Sequence, residues 1–558
     1  MRLKLSNLAV TFCLVAGVAL GQGLPRAGRP PVPTGPPKKP GSVAGTVTNS
    51  VTGEAIKKAT VTLHNFRIAA AYMAVSDAEG HFQITGVEPD NAYAISAHCP
   101  GFADEFVRPT ALISVAEEQA VTAVTVKLSP LGIIAGKVLD EDGDPLPGVS
   151  VMATQANYQM GTRQMRPVRY AQTDDRGEYR LFDLPVGRTF LVATIRDNRG
   201  PAPNVRLHAG QPEQAYPATF YPKATGIAAA TPTAIVPGAE ISGVDFHLHK
   251  VPVYHIRGKA VDAQSREPIH GVSMQASPCG FGLENAGLQR FAPIQPDGTF
   301  DIAGAVPGQD CLRIQQSQSG HSSFGQQVVN VAGQDVDDVV VSVTPGSEMS
   351  GTLLFESAPP DNFKNFRIFL RPADGSGMTP NAIVKPDNTF VLPDVFPIPY
   401  EMQQLPMPQG FYVKSIQYGE RDASDGRINV TAAGTPLTLV LASDSAKVSV
   451  SVQAPDGSAA SGVIVILAPG GRLALRSDLF RTGYVAPNGS ATITGVAPGE
   501  YKVFAWADMD QSLARVPEFR KLLEDRAASV TVGPNDNQTV QVQLIPAELI
   551  NEAKSKLQ

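Results

Sequence analysis

The sequence predicts an all-β protein, a tandem array of five β-sandwiches with one short helix in the last. Three observations predict it. The 558 residues include 51 glycines and 47 prolines, together as many as the charged residues and well above average usage. An interior glycine costs a helix about 1 kcal/mol and a proline about 3, which argues against a compact helical enzyme. Apolar content of 43% supports packed cores, so the chain is neither collagen-like nor wholly disordered. A strand-and-turn motif, moreover, recurs five times along the chain. The formal net charge is −6, without the basic stripe of a nucleic-acid binder.

The chain opens with Arg2 and Lys4, then the apolar stretch Leu8 to Leu20, which is too short to span a bilayer. Ala19 and Gly21 are the small residues of a cleavage site, so residues 1–21 read as a signal peptide. The residues before Cys13 are not those of a lipoprotein signal. No later apolar run reaches 18 residues, so no transmembrane segment is expected after cleavage. Residues 22–40 read as a Pro-rich linker, extended and unable to pack into a core.

The motif is a turn, an alternating strand and a Pro-Gly corner. It reads SDAEGHFQITGVEPD from Ser76, TDDRGEYRLFDLPVG from Thr173, QPDGTFDIAGAVPG from Gln295, KPDNTFVLPDVFP from Lys385 and APNGSATITGVAPG from Ala486. Its turn residues are Gly80, Gly177, Gly298, Asn388 and Gly489, types that accept positive φ. The apolar positions that follow, such as Phe82 and Ile84, Tyr179 and Leu181, Phe300 and Ile302, alternate as on a strand with one buried face. Upstream of the motif lie paired strands, such as Gly136-Lys137-Val138 leading to Gly148-Val149-Ser150-Val151. A β-rich strand closes each unit. The sandwiches are expected at 41–130, 131–250 (with long insertions), 251–345, 346–443 (divergent) and 444–547. The helix is expected near Pro517 to Asp525, and residues 548–558 read as a polar tail.

The order G-x-V, D-x-x-G-x-[FY]-x-[IL], P-G resembles carboxypeptidase regulatory-like domains, whose fold is an Ig-like or prealbumin-like β-sandwich. Starch-binding-like modules and collagen-adhesin repeats share the pattern. The resemblance covers Gly41 to about Ala547 and implies a repeat protein of secreted bacterial type. The stretch from Trp506 through Val516-Pro517-Glu518-Phe519 to Val532 also looks like the last module of large secreted repeat proteins. These likenesses imply a structural, adhesive or binding role rather than catalysis, with no cofactor. Their setting would be the cell envelope, periplasm or exterior, with an unidentified protein or glycan as partner.

Catalytic signatures do not appear. None of the nine histidines begins a His-x-x-Glu pair, and there is no HExxH, G-x-S-x-G or S-x-x-K motif. The best metal candidate is Asp245, His247 and His249, which project from one face of a strand while Phe246 and Leu248 point inward. That set would serve a metal-dependent hydrolase; the competing reading is the solvent-facing side of an edge strand. Asp140-Glu141-Asp142-Gly143-Asp144 reads as a hairpin turn, lacking the twelfth-position Glu of a calcium loop. Carbohydrate binding would need exposed aromatics; the candidates are Tyr158, Tyr170, Tyr216 and Tyr221, with Phe220 and Arg163, Arg166 and Arg169 close in sequence. Cys279 and Cys311, at strand ends of one module, are candidates for a disulfide, which suits an oxidising compartment. Lys137 and Lys259 are the candidates for the isopeptide crosslink of collagen-adhesin repeats.

Overall fold

A computed structural model describes residues 39–557 apart from short internal segments, of which 107–112, 202–212, 280–287 and 360–365 are the longest. The expected signal peptide and nearly all of the expected Pro-rich linker lie outside the described residues. Strands dominate, and the apolar residues gather in five principal cores, one within each of five consecutive stretches of chain.

Each module repeats one plan. In the first, the opening strand Gly41–Asn49 lies at the centre of a three-stranded sheet. It pairs antiparallel with His81–Val87, the strand after the motif turn, and parallel with the closing strand Ala120–Leu128. The facing sheet centres on Thr60–Asn65, between the edge strand Ala70–Val75 and the return strand Asp90–His98. Val43, Val47, Phe82, Ile84, Val61 and Leu63 fill the space between the sheets. The same three-strand arrangement recurs at Val251–Asp262, Thr299–Ala305 and Val336–Pro345. It recurs again at Ser347–Phe355, Thr389–Val395 and Leu437–Ala442, and at Ala446–Gln453, Ser490–Val496 and Asn537–Ile545.

The motif turn is held by an Asp or Asn, which leads the turn in the first two modules and stands immediately before the turn residue in the other three. The Asp77 carboxylate accepts the backbone N–H groups of Glu79 and His81, and Asp174 accepts those of Arg176 and Glu178. Asp297, Asp387 and Asn488 do the same for Thr299, Thr389 and Ser490. The turn residue has φ of +77° at Gly80 and +63° at Asn388, so asparagine serves the divergent fourth module as glycine serves the others.

A second recurring pair explains the G-x-V signature. Gly45, Gly136, Gly258 and Gly351 stand directly opposite Phe82, Tyr179, Phe300 and Phe390. A Cβ on Gly258 would lie 1.9 Å from the Val339 carbonyl oxygen, and one on Gly136 would lie 2.0 Å from that of Val244. In the fifth module the corresponding pair is Val450 opposite Ala491. The volume is conserved by exchanging partners: small against aromatic in four modules, medium against small in one. Gly258→Ala is therefore expected to cost the third module about 1–3 kcal/mol by overpacking, read as a lower midpoint for that module in thermal denaturation.

Two findings differ from the sequence reading. Residues 548–558 are not a free tail: α2 (Ala547–Leu557) packs on α1 (Pro517–Leu522) and buries Ile550 and Ala553. The last module thus carries two helices, forming an outer layer over Trp506, Phe504 and Ile545. No helix among the described residues is long and apolar enough to cross a membrane.

Candidate functional site

The predicted metal set does not assemble. Asp245, His247 and His249 do alternate with buried Phe246 and Leu248, but the Asp245 carboxylate accepts the backbone N–H of Lys137 at 2.8 Å. His247 and His249 are exposed, and among the described residues no group of three or more His, Cys, Asp or Glu is placed to hold a metal ion. Asp245 instead fastens the closing segment of the second module to its opening strand. The Asp140 loop is a turn: its carboxylate accepts the N–H groups of Asp142 and Asp144, and Gly143 has φ of +87°.

Nor do the four tyrosines form a platform. Tyr158 is buried in the apolar layer of the fifth module, more than 300 residues away in sequence. Tyr216 donates to Glu141 at 2.8 Å, with Lys250 lying over its ring. Tyr221 packs edge-on against Phe246, and only Tyr170, 79% exposed, faces solvent. Nothing stacks a sugar when its aromatics point in four directions. Cys279 and Cys311 are joined, with Cα atoms 5.1 Å apart, while Cys99 is buried and burial pushes its thiol pKa up. Lys137 is half exposed and paired with Glu178, and Lys259 is exposed, so neither occupies the buried site an isopeptide crosslink needs.

Some polar side chains pair within one module, as Arg290 does with Asp310, and others converge at the joints between modules. At the second joint, a short strand of the second module, Glu213–Ala215, pairs with Val251–Val253 of the third. Beside it His255 contacts two carboxylates: Nδ1 lies 2.5 Å from Asp301 and Nε2 3.2 Å from Glu213. Arg257, two residues on, bonds Asp301, Asp335 and Asp337. At the third joint, the Asp394 carboxylate accepts the backbone N–H and the hydroxyl of Ser322, and Phe324 packs on Phe396.

The fourth joint is the most buried. Arg476, 1% exposed, makes a fork to Asp478 with both bonds at 2.7 Å. Its remaining N–H groups reach into the fourth module and donate to the carbonyls of Val413 at 2.7 Å and Ser424 at 2.9 Å. The fifth module then returns to the second. The Tyr158 hydroxyl donates to the Leu557 carbonyl and Arg188 to that of Ser555, so the second module caps the C-terminus of α2. A cation at that end also suits the helix dipole.

Comparison with known families matches the model described as "Carboxypeptidase regulatory-like domain" at residues 42–129 and again at 133–219. The first two sandwiches are similar to carboxypeptidase regulatory-like domains over these residues. Their small-against-aromatic pair recurs in the third and fourth modules, with Gly258 opposite Phe300 and Gly351 opposite Phe390.

A search of the curated proteins finds no match. Among solved structures, similarity extends to the Bacillus anthracis TIE protein, at 11% identity and a TM-score of 0.15, covering 72% of this chain and 68% of that one. A minor pilin of Streptococcus agalactiae is 14% identical, with a TM-score of 0.22, covering 38% of this chain and 97% of its own. The major pilin subunit of Bacillus cereus is 12% identical, with a TM-score of 0.15, covering 55% and 99%. Scores this low establish no common arrangement of domains.

His255, Arg476 and Tyr158 carry no joint signature in sequence. The modules are legible because their motif is local. Their joints depend on partners 42 to 399 residues away.

Proposed function

We propose that this is an exported, non-catalytic structural or adhesive protein of the bacterial cell envelope, whose fastened modules present fixed surfaces to other envelope proteins. One observation carries the reading. The converging side chains best suited to chemistry at the joints (His255, Arg476, Asp478 and Asp394) are engaged in holding one module to another, and Arg257 is occupied by carboxylates of its own module. The disulfide between Cys279 and Cys311 supports an oxidising location. No observation favours the carbohydrate or hydrolase readings, since the tyrosines and the Asp245 set are spent on packing and backbone contacts.

The reading is tested by expressing the full chain in a bacterial host, fractionating the cells and crosslinking them intact. The expected result is a chain outside the cytoplasm, beginning after Gly21 and crosslinked to other envelope proteins. A cytoplasmic chain that retains residues 1–21, or hydrolysis of a peptide substrate, would overturn it. A glycan array probed with the mature chain is expected to show no saturable binding, and a hit lost on Tyr170→Ala would restore the carbohydrate reading.

A further inference from the structure

We propose that His255 makes the joint between the second and third modules pH-sensitive, closed while its imidazole is charged and loosened when it is neutral. Both ring nitrogens face carboxylate oxygens that come from different modules: Asp301 on the strand Thr299–Ala305 of the third, and Glu213 on the strand Glu213–Ala215 of the second. Only the imidazolium can donate from both nitrogens at once. A neutral ring has one N–H and one lone pair, and the lone pair would face a negative oxygen. The ring is largely enclosed, with 15% of the side chain exposed, as is Glu213 at 18%.

Which contact weakens follows from the surroundings. Arg257 lies on the same strand and also holds Asp301, whose bond to Nδ1 is the shorter of the two. Asp335, from the segment before the closing strand, accepts the backbone N–H of His255 at 3.0 Å and is itself bound by Arg257, as is Asp337. These ties lie within the third module and persist without the ring charge. The Glu213 contact is the one that crosses the joint, and a neutral ring that keeps its proton on Nδ1 weakens it. The ladder beside it spans only Glu213–Ala215 against Val251–Val253, and Leu288 of the third module packs into the second nearby. A ladder so short leaves the ion pair a large share of the joint.

The direction of the pH effect is fixed by sign. Burial opposes the charged ring, but the bonds to Asp301 and Glu213 outweigh it and hold the pKa above the ordinary 6.5. A raised pKa contributes stability that is full below the unfolded value, about 6.5, and is lost as pH rises through the folded value. The joint is therefore tightest where the ring is charged and both carboxylates are ionised, and it loosens as pH rises through the raised pKa of His255.

Hydrogen-exchange mass spectrometry on the full chain between pH 6 and 9, corrected for intrinsic rate, tests this. Peptides covering 213–215 and 251–255 are expected to lose protection severalfold as pH rises, while those around Arg476 do not change. His255→Gln is expected to abolish the pH dependence and leave the joint at its alkaline level throughout. Glu213→Gln, which leaves the third module's own contacts in place, is expected to flatten the profile independently. Protection at 213–215 and 251–255 that is constant with pH in the wild type, or a wild-type profile retained in both variants, would overturn the proposal.

Discussion

Replacing Arg476 by alanine is expected to cost the joint between the last two modules about 3–5 kcal/mol, the penalty for removing one partner of a buried ion pair. The guanidinium bridges Asp478, which is 3% exposed, to the carbonyls of Val413 and Ser424. Without it a buried carboxylate loses its fork and two carbonyls of the fourth module lose their donors. Gly426, with φ of +92°, passes so close to the Arg476 side chain that a Cβ would meet it at 2.9 Å, so the two modules are fitted around this one residue. Differential scanning calorimetry of the full chain should show the transition of the last two modules falling by roughly 10 °C. Arg476→Lys keeps the charge but not the planar fork, and should recover less than half of the loss. A shift under about 2 °C in the alanine variant would show that the pair is not what joins these modules.

Removing α2 is the second large perturbation, and the chain contains its own reporter for it. Trp506 is the only tryptophan and is 0% exposed, packed between Phe504 and Phe519 beneath the helical layer. A chain ending at Pro546 would uncover the layer that Ile550 and Ala553 bury, and would free the Tyr158 and Arg188 contacts. The expected result is a red-shifted tryptophan emission together with greater hydrogen exchange in the hairpin Ser150–Gln172. Tyr158→Ala, which leaves α2 in place, is expected to cost about 3–5 kcal/mol by cavity formation. Unchanged emission after truncation would mean that α2 does not cover this core.

These two sites mark the limit of what the sequence discloses. The D-x-x-G turns were legible because the Asp side chain, the positive-φ residue and the alternating strand lie within about ten residues of each other. The opening glycine was legible too, although its reason, the aromatic directly opposite, appears only in the strand register. The α2 helix escaped notice because its buried positions, Ile550 and Ala553, are few and its remainder is polar, so that apolar spacing over three residues looked like a tail. Arg476 and Tyr158 gave no signal because an isolated Arg or Tyr is ordinary on any surface. Their burial is decided by modules that approach only once the chain has folded. Asp245, His247 and His249 alternate with buried Phe246 and Leu248, but alternation says nothing about whether a second element brings further ligands. The structure brings a backbone N–H to Asp245 and solvent to the two histidines.

Polar contacts fasten consecutive modules, and those of Tyr158 and Arg188 carry the fifth module back onto the second. Single-molecule energy transfer between labels at Asp175 in the second module and Asn551 on α2 measures this directly. One narrow population at pH 6, broadened by Tyr158→Ala, is the result expected. A broad or exchanging distribution in the unmodified chain would contradict it, leaving a string of independent sandwiches.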